Sequence, residues 1–181
     1  MSNSNQRRYF DKLISEKKYI ELQKNCDEGI ISDSSNTELY LEFKALSFLF
    51  QKKEYEYFNV ILELFNKNNK NSFSILALAS YYYQKQDYVS AENYIKKVYN
   101  LDKTEKSIHL YAKILNSLKK NDELENILIE GSKLYPKNID FLQNLSSYYF
   151  SQKKFLDAIN TLLILDKSNK NNSSTNYKIG H

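Results

Sequence analysis

Residues 72–103 contain two runs in which apolar or small residues fall three or four positions apart, with the polar stretch 84–87 between them. That spacing predicts two helices, each with one apolar face, joined by a tight turn. The positions expected in the core are Ile75, Leu78, Ala79, Tyr82, Tyr88, Ala91, Ile95 and Val98. With only three glycines and one proline, the chain has few of the turn residues that all-β folds use, so we predict an all-α fold.

The same pattern recurs downstream at a nearly constant interval. Residues 139–170 align on residues 72–103 with small residues and aromatics at matching places, and a weaker copy lies between them. The three copies begin at Ser72, Glu105 and Ile139, which are 33 and 34 residues apart. The core positions of the two further copies are Ile108, Tyr111, Ala112, Leu115, Leu124 and Leu128, then Leu142, Leu145, Ser146, Tyr149, Phe155, Ala158, Leu162 and Leu165.

This layout resembles the tetratricopeptide repeat, in which about 34 residues form two antiparallel helices. The resemblance implies a right-handed superhelix, or solenoid, of about five antiparallel helix–turn–helix repeats, because one hairpin cannot bury its apolar face alone. A further unit then begins at Leu39, with Leu46, Leu49, Tyr55, Phe58, Leu62 and Phe65 facing inward. A fifth, degenerate unit spans residues 3–29, with Leu13, Tyr19, Leu22 and Cys26 inward and Gly29 as the helix stop.

We therefore expect three regions along the chain. Residues 1–36 form a degenerate N-terminal helical hairpin, and residues 37–168 form the repeat array. Residues 169–181 are a polar tail that we expect to be disordered. The units of the array lie near residues 39–71, 72–104, 105–138 and 139–168.

The resemblance also implies where a partner binds, because in this family the first helix of each repeat lines a concave groove. The groove positions are Tyr40, Phe43, Lys44, Ser47, Phe50, Phe73, Leu76, Ser80, Tyr83, Lys106, His109, Lys113, Asn116, Gln143, Asn144 and Phe150. The N-terminal half of this set is aromatic and apolar, and the C-terminal half is polar with two lysines. Such a groove suits a helix or extended peptide with apolar anchors and an acidic end.

A second interpretation of the aromatic half is structural. Phe43, Phe50 and Phe73 would then pack against each other in a tight superhelix, and a register error of one residue would exchange groove and core. One known use of the fold is disfavoured here. The family's clamp for the carboxylate of chaperone C-termini needs lysine and asparagine at groove positions, and residues such as Phe43 and Leu76 do not supply them.

The end of the array is a second candidate site. The last helix carries the apolar run 162–165, whereas repeat arrays normally end in a helix with a polar outer face. We therefore expect Leu163 and Ile164 to be left uncovered. Three explanations stay open: a self-association interface that gives a homodimer, an array that continues further, or a tail that folds back over these residues.

The sequence offers little catalytic chemistry. The three glycines are scattered and cannot form a phosphate-binding loop, and His109 and His181 have no Cys or His neighbours at metal-ligand spacing. Cys26 is expected to be a small buried residue and not a nucleophile. We therefore predict a non-catalytic adaptor, chaperone or scaffold subunit that has no cofactor or metal and whose partner is another protein.

Composition restricts the setting and the partners further. The single cysteine fits a reducing compartment, and the sequence shows no secretory h-region and no apolar run of about 18 residues, so we expect a cytoplasmic protein without membrane contact. The three tyrosines at 81–83 with Lys85, Lys96 and Lys97 could stack bases and bind phosphates. A net charge of only +4 and the core position of Tyr82 make nucleic-acid binding the weaker hypothesis.

Overall fold

The structure is a computed structural model that describes residues 3–168. Within that range the chain forms ten α-helices and one 3₁₀ turn, and no strand, which confirms the all-α prediction. The helices are α1 (Asn3–Ser15), α2 (Tyr19–Ser32), α3 (Thr37–Phe50), α4 (Glu54–Lys67), α5 (Ser72–Gln84), α6 (Tyr88–Leu101), α7 (Glu105–Ser117), α8 (Asn121–Leu134), α9 (Asp140–Ser151) and α10 (Phe155–Ser168). None of these described helices combines the length and the apolar composition that a membrane crossing requires. The predicted polar tail lies outside the described residues.

The helices are joined in pairs by three-residue turns whose middle residue has a left-handed backbone. These middle residues are Lys17, Lys52, Gln86, Lys119 and Lys153, with φ between 57° and 62°. Between α7 and α8, the Lys119 N–H donates to the Asn116 carbonyl (3.1 Å) and the Lys120 N–H donates to the Leu115 carbonyl (3.0 Å). This is the Schellman arrangement, which satisfies the last carbonyls of a helix while the chain reverses. The result is five helical hairpins: α1/α2, α3/α4, α5/α6, α7/α8 and α9/α10.

The left-handed residue occupies the same position in the turn of every hairpin, so it defines the register of the repeats. Gln86 lies 14 residues after the repeat start at Ser72, and Lys52 lies 34 residues before Gln86. The equivalent repeat therefore starts at Glu38. The predicted start at Leu39 is wrong by one residue.

This one-residue shift explains the core of the α3/α4 hairpin. Ala45, and not Leu46, takes the small-residue position, and it is fully buried. Leu49 and Tyr55, which we expected in the core, are exposed because the shift turns them to the other side of their helices. The side chains that fill the core between α3, α4 and α5 are Leu41, Ala45, Val60, Ile61, Leu64, Ala77 and Leu78.

The described chain divides between Leu101 and Asp102 into two compact units. In the first unit, a second cluster joins α1, α2 and α3, and its buried members are Phe10, Leu13, Leu22, Cys26, Leu39, Tyr40 and Phe43. In the second unit, α7 to α10 bury Ile108, Ile114, Leu115, Leu124, Leu128, Phe141, Leu145, Ala158 and Leu165. The core positions predicted from Glu105 are all buried, but Phe155 of the last hairpin is 52% exposed and was predicted wrongly.

Two glycines lie inside helices, where they make room for an aromatic ring of the next hairpin. We predicted that Gly29 ends its helix, but α2 continues to Ser32. A Cβ atom on Gly29 would overlap the ring of Tyr40. Gly131 in α8 meets Phe141 in the same way. At the equivalent place between α4 and α5, the large side chain is on the first of the two helices and the small one on the second. Leu64 replaces the glycine and Ser74 replaces the aromatic residue, and both are fully buried.

Candidate functional site

Predicted groove residues of the second unit line one recess. A cavity of about 350 Å³ opens between α7, α8 and α9, with the side chains of Ala112, Leu124 and Leu128 among its apolar lining. Polar residues on α7 and α9 complete the wall: His109, Lys113, Asn116, Asn144, Ser147 and Ser151. A shallower depression of about 470 Å³ adjoins it and adds Lys106 and Gln143. Six predicted groove residues therefore lie along these two connected hollows.

His109 is held in place on the wall of this recess by two neighbours. Its ring stacks on Phe141, with centroids 4.0 Å apart and planes at 9°. The amide nitrogen of Asn138 donates to a Glu105 carboxylate oxygen (2.5 Å) and lies 3.2 Å from Nε2 of His109. The Asn138 amide therefore links the Glu105 carboxylate to the His109 ring.

Charge around the recess is mainly positive. Lys106 and Lys113 are exposed on α7, and Asp140 is the one acidic residue of the adjoining depression among the described residues. The amide side chains of Asn116 and Asn144 add donors and acceptors on opposite walls. The recess thus offers an apolar floor with a cationic, hydrogen-bonding rim.

In the first unit, the register correction changes which residues lie in a recess. A cavity of about 470 Å³ is bounded by the turn after α3, by α4 and by α5, and the predicted Ser80 lies on its wall. The prediction missed its other main residues, which are Leu49, Tyr57, Tyr81 and Gln84. The repeated triplet Gln-Lys-Lys at 51–53 and 152–154 marks equivalent turns and would have given the correct register.

Four predicted groove residues of α3 are not in a groove. Tyr40, Phe43 and Ser47 are buried, because α1 and α2 cover this face of α3. The Phe43 ring lies 5.1 Å from that of Phe10. Lys44 instead pairs with Asp27 of α2 at 2.6 Å.

The remaining predicted aromatics have separate partners, so the alternative of one mutual aromatic cluster does not hold either. Phe50 is half exposed and its ring stacks on Tyr19 at 6.0 Å. Phe73 packs against the core cluster of α3, α4 and α5, and Tyr83 contacts Tyr88 at 5.6 Å between ring centroids. Leu76 is half-buried.

Phe150 and the two residues predicted for self-association lie on the exposed surface of the last hairpin. The Phe150 ring is 66% exposed and meets Phe155 edge to face at 5.5 Å. Leu163 is 44% exposed and Ile164 is 54% exposed.

The tyrosines considered for base stacking are engaged within the protein. Tyr81 stacks on Phe58 at 4.1 Å, and Tyr82 stacks on Tyr94 at 5.4 Å. Lys85 pairs with Glu54 at 2.7 Å. These contacts occupy one ring face of Tyr81 and one of Tyr82, which leaves less ring surface for stacking on bases.

Two features of the described residues bear on reactive chemistry, the single cysteine thiol and the placement of metal-binding side chains. Cys26 is fully buried as predicted, and burial raises the pKa of its thiol to about 12. The thiolate that a nucleophile needs is therefore scarce at neutral pH. Within residues 3–168, no cluster of three or more His, Cys, Asp or Glu side chains is placed to hold a metal ion.

The fold has clear structural counterparts although the sequence has none. No protein-family model matches the chain, and no curated protein is significantly similar to it in sequence. MamA from Desulfovibrio magneticus RS-1, residues 41 to the end, superposes with a TM-score of 0.75 at 9% identity, over 96% of this chain and 98% of that chain. YrrB, described as a TPR protein with an unusual peptide-binding site, gives 0.73 at 11% identity, over 96% and 90%.

A tetratricopeptide repeat protein from Parabacteroides merdae gives a TM-score of 0.64 at 16% identity, over 88% of this chain and 62% of that chain. At these identities the likeness concerns the fold alone. The helical hairpins of this chain have the fold of the tetratricopeptide repeat proteins.

Proposed function

We propose that this chain is a protein-interaction module whose second unit binds a short segment of another protein between α7, α8 and α9. The observation that carries the proposal is the recess itself, in which an apolar floor and a polar rim of predicted groove residues occur together. Binding sites commonly combine an apolar surface with a few polar groups that fix orientation. The description of YrrB as a peptide-binding TPR protein supports the same use of the fold.

The recess favours a particular class of ligand. Leu124 and Leu128 on its floor suit an aliphatic or aromatic side chain, and the volume of about 350 Å³ has room for one or two such anchors. Lys106 and Lys113 suit an acidic group beside that anchor. The proposed ligand is therefore a peptide with an apolar anchor flanked by Asp, Glu or a free carboxylate.

The first unit supplies a separate contact surface in this proposal. Its recess between the turn after α3, α4 and α5 includes Ser80, Leu49 and Tyr81, and the partly buried Phe73, Leu76 and Tyr83 lie on the same helix α5. These side chains would take an apolar segment. A chain that only holds such segments acts as a non-catalytic adaptor, chaperone or scaffold subunit.

A defined set of peptides tests the proposed ligand class. Fluorescein-labelled peptides of about ten residues would carry a central leucine flanked by glutamates, the same leucine flanked by lysines, or a serine flanked by glutamates. We expect fluorescence polarisation to show tightest binding for the first peptide. Amide chemical-shift changes should concentrate at His109, Lys113, Asn116 and Asn144.

Charge reversal provides the matched control. Lys113→Glu should weaken binding of the acidic peptide by about tenfold or more, since a favourable charge becomes a repulsive one. Lys137→Glu makes the same change in an exposed loop outside the recess and should leave binding unchanged. Equal effects of the two variants, or equal binding of all three peptides, would contradict the proposal.

A further inference from the structure

The last helix, α10, presents a second apolar face besides the one it buries. Leu156, Ile159 and Leu163 are spaced three and four residues apart, so they share one side of the helix, and they are 79%, 47% and 44% exposed. Phe155 and Phe150 extend this side through their edge-to-face contact. We call these five residues the α10 face. Ile164 is turned by about 100° from Leu163 and lies on another side of the helix, so only one of the two predicted residues belongs to this face.

Equivalent positions in other hairpins show what this side of a second helix does. The residue six positions after the left-handed turn residue is Gln23 in α2, Phe58 in α4 and Glu125 in α8. Each contacts the following hairpin: Gln23 donates to the Ser47 hydroxyl (2.9 Å), Phe58 stacks on Tyr81 (4.1 Å), and Glu125 accepts from the Tyr149 hydroxyl (3.0 Å). In α10 the same position is Ile159. The α10 face is therefore a hairpin-stacking surface.

The size and composition of the α10 face set it apart from ordinary exposed apolar residues. At the exposures of its five side chains, taking about 200 Å² for a fully exposed one, roughly 580 Å² of surface remains accessible. Apolar patches of this size commonly mark interaction sites. Two such faces together would bury more than about 1,000 Å², the lower bound for a specific interface.

A second copy can cover this face either head-to-tail or in a two-fold symmetric arrangement, and the charges on the protein distinguish the two. In head-to-tail stacking, α1 of one copy would meet α10 of another, and Lys12 would take the place that Ser47 and Tyr81 hold in their hairpins. The side chain of Lys12 is 70% exposed and pairs with Glu16 of its own helix at 3.8 Å. Placing it against Ile159 would remove this ion pair from water, a desolvation cost that an apolar side chain does not carry.

A two-fold arrangement avoids that cost, because each α10 face meets only its own apolar copy. Asp157, the acidic residue in the first turn of α10, lies about 140° round the helix from the centre of the face. A symmetric interface needs a self-complementary patch, and an uncharged apolar stripe meets that condition. We propose that two copies of this chain form a symmetric homodimer through their α10 faces.

Sedimentation equilibrium over an about hundredfold range of concentration tests the dimer by mass action. The wild-type chain should shift from monomer to dimer, and Leu156→Glu should weaken dimerisation at least about tenfold. Ile20→Glu is the matched control, because Ile20 is at the equivalent position of α2 and is 78% exposed. It should dimerise like wild type. Unchanged thermal melting of the variants would show that both still fold. A chain that stays monomeric throughout overturns the proposal.

Cross-linking tests the symmetry of the dimer independently. Ile159 lies at the middle of the α10 face, so Ile159→Cys in a Cys26→Ala background should form a disulfide-linked dimer on mild oxidation. Lys12→Cys in the same background should not. If the disulfide instead forms only when Ile159→Cys and Lys12→Cys chains are mixed, the stacking is head-to-tail and the symmetric dimer is wrong.

Discussion

The ring of Phe141 occupies the space that a side chain on Gly131 would need. A Cβ atom at Gly131 would lie 2.5 Å from Cδ1 and 2.6 Å from Cε1 of that ring. The same ring stacks on His109, a residue of the proposed peptide-binding recess. Because Gly131 has no side chain, the Phe141 ring can pack against α8 and hold His109 on one wall of the recess.

Gly131→Ala should destabilise the protein although alanine is the better helix former. The helix propensity favours alanine by about 1 kcal/mol, but overpacking a core of this kind costs about 1–3 kcal/mol. We expect a net loss of free energy of unfolding of up to about 2 kcal/mol in urea denaturation. The loss should be smaller in a Phe141→Leu background, where the smaller side chain leaves room. A stabilised single variant would show that Phe141 moves aside freely.

Lys119→Gly should stabilise the second unit. Lys119 has φ of 57°, a conformation that costs a residue with a Cβ atom about 1 kcal/mol and glycine almost nothing. Urea denaturation should therefore show a gain of about 1 kcal/mol or less, because glycine also adds freedom to the unfolded chain. Lys133→Gly, in the last turn of α8, should lose up to about 1 kcal/mol. A loss at Lys119 as large as that at Lys133 would argue against the strained turn.

Cys26 should react with a thiol reagent only after unfolding. Burial holds the pKa of its thiol at about 12, and the side chain is fully buried in the α1–α2–α3 cluster. At pH 8 the native protein should give almost no colour with a disulfide reagent, and denatured protein should give one equivalent. Ile20→Cys in a Cys26→Ala background offers an exposed thiol on the same helix and should react at once. Fast reaction of native wild-type protein would mean that this cluster opens readily.

The ion pair between Glu125 and Lys154 should make part of the stability depend on pH. The pKa of Glu125 is lowered, first by its hydrogen bond from Lys154 at 2.9 Å and further by the Tyr149 hydroxyl. A carboxyl with a lowered folded-state pKa stabilises the fold above its ordinary pKa near 4.5, and the contribution is lost as the pH falls through the folded value. Glu125→Gln should therefore be less stable than wild type at pH 7 by less than about 1 kcal/mol.

The pH dependence of that difference is the test. The gap in free energy of unfolding between wild type and Glu125→Gln should shrink as the pH falls below about 4.5, because protonated Glu125 no longer pairs with Lys154. Glu63→Gln, at an exposed carboxylate of α4, should show a smaller gap at pH 7. A gap that is constant with pH would indicate that the pair contributes nothing through its charge.

In the second hairpin, local sequence similarity predicts the wrong register. The segment Phe-Gln-Lys-Lys-Glu-Tyr at 50–55 matches Tyr-Gln-Lys-Gln-Asp-Tyr at 83–88 with an offset of 33 residues. The left-handed residues Lys52 and Gln86 are 34 apart, so the backbone follows a different offset. Each turn needs one residue with positive φ, a conformation that glycine would indicate in a sequence. These turns have lysine or glutamine at that position, so the residue type does not identify it.

The periodic spacing of apolar residues was enough to predict helices, hairpins and the repeat, because a helix of 3.6 residues per turn must place residues three and four apart on one side. The same spacing predicts that Lys106, His109, Lys113, Asn116 and Asn144 share one side of α7 or α9, and these residues line the recess of the second unit and its adjoining depression. Which sides stay open to solvent was decided by the tertiary structure. Phe43 is covered because Phe10 of α1 packs on it, and Leu156 is exposed because no described helix packs beyond α10. The position of a residue along a helix determines the direction of its side chain. Whether that side chain is buried depends on another helix, whose residues can be distant in the sequence.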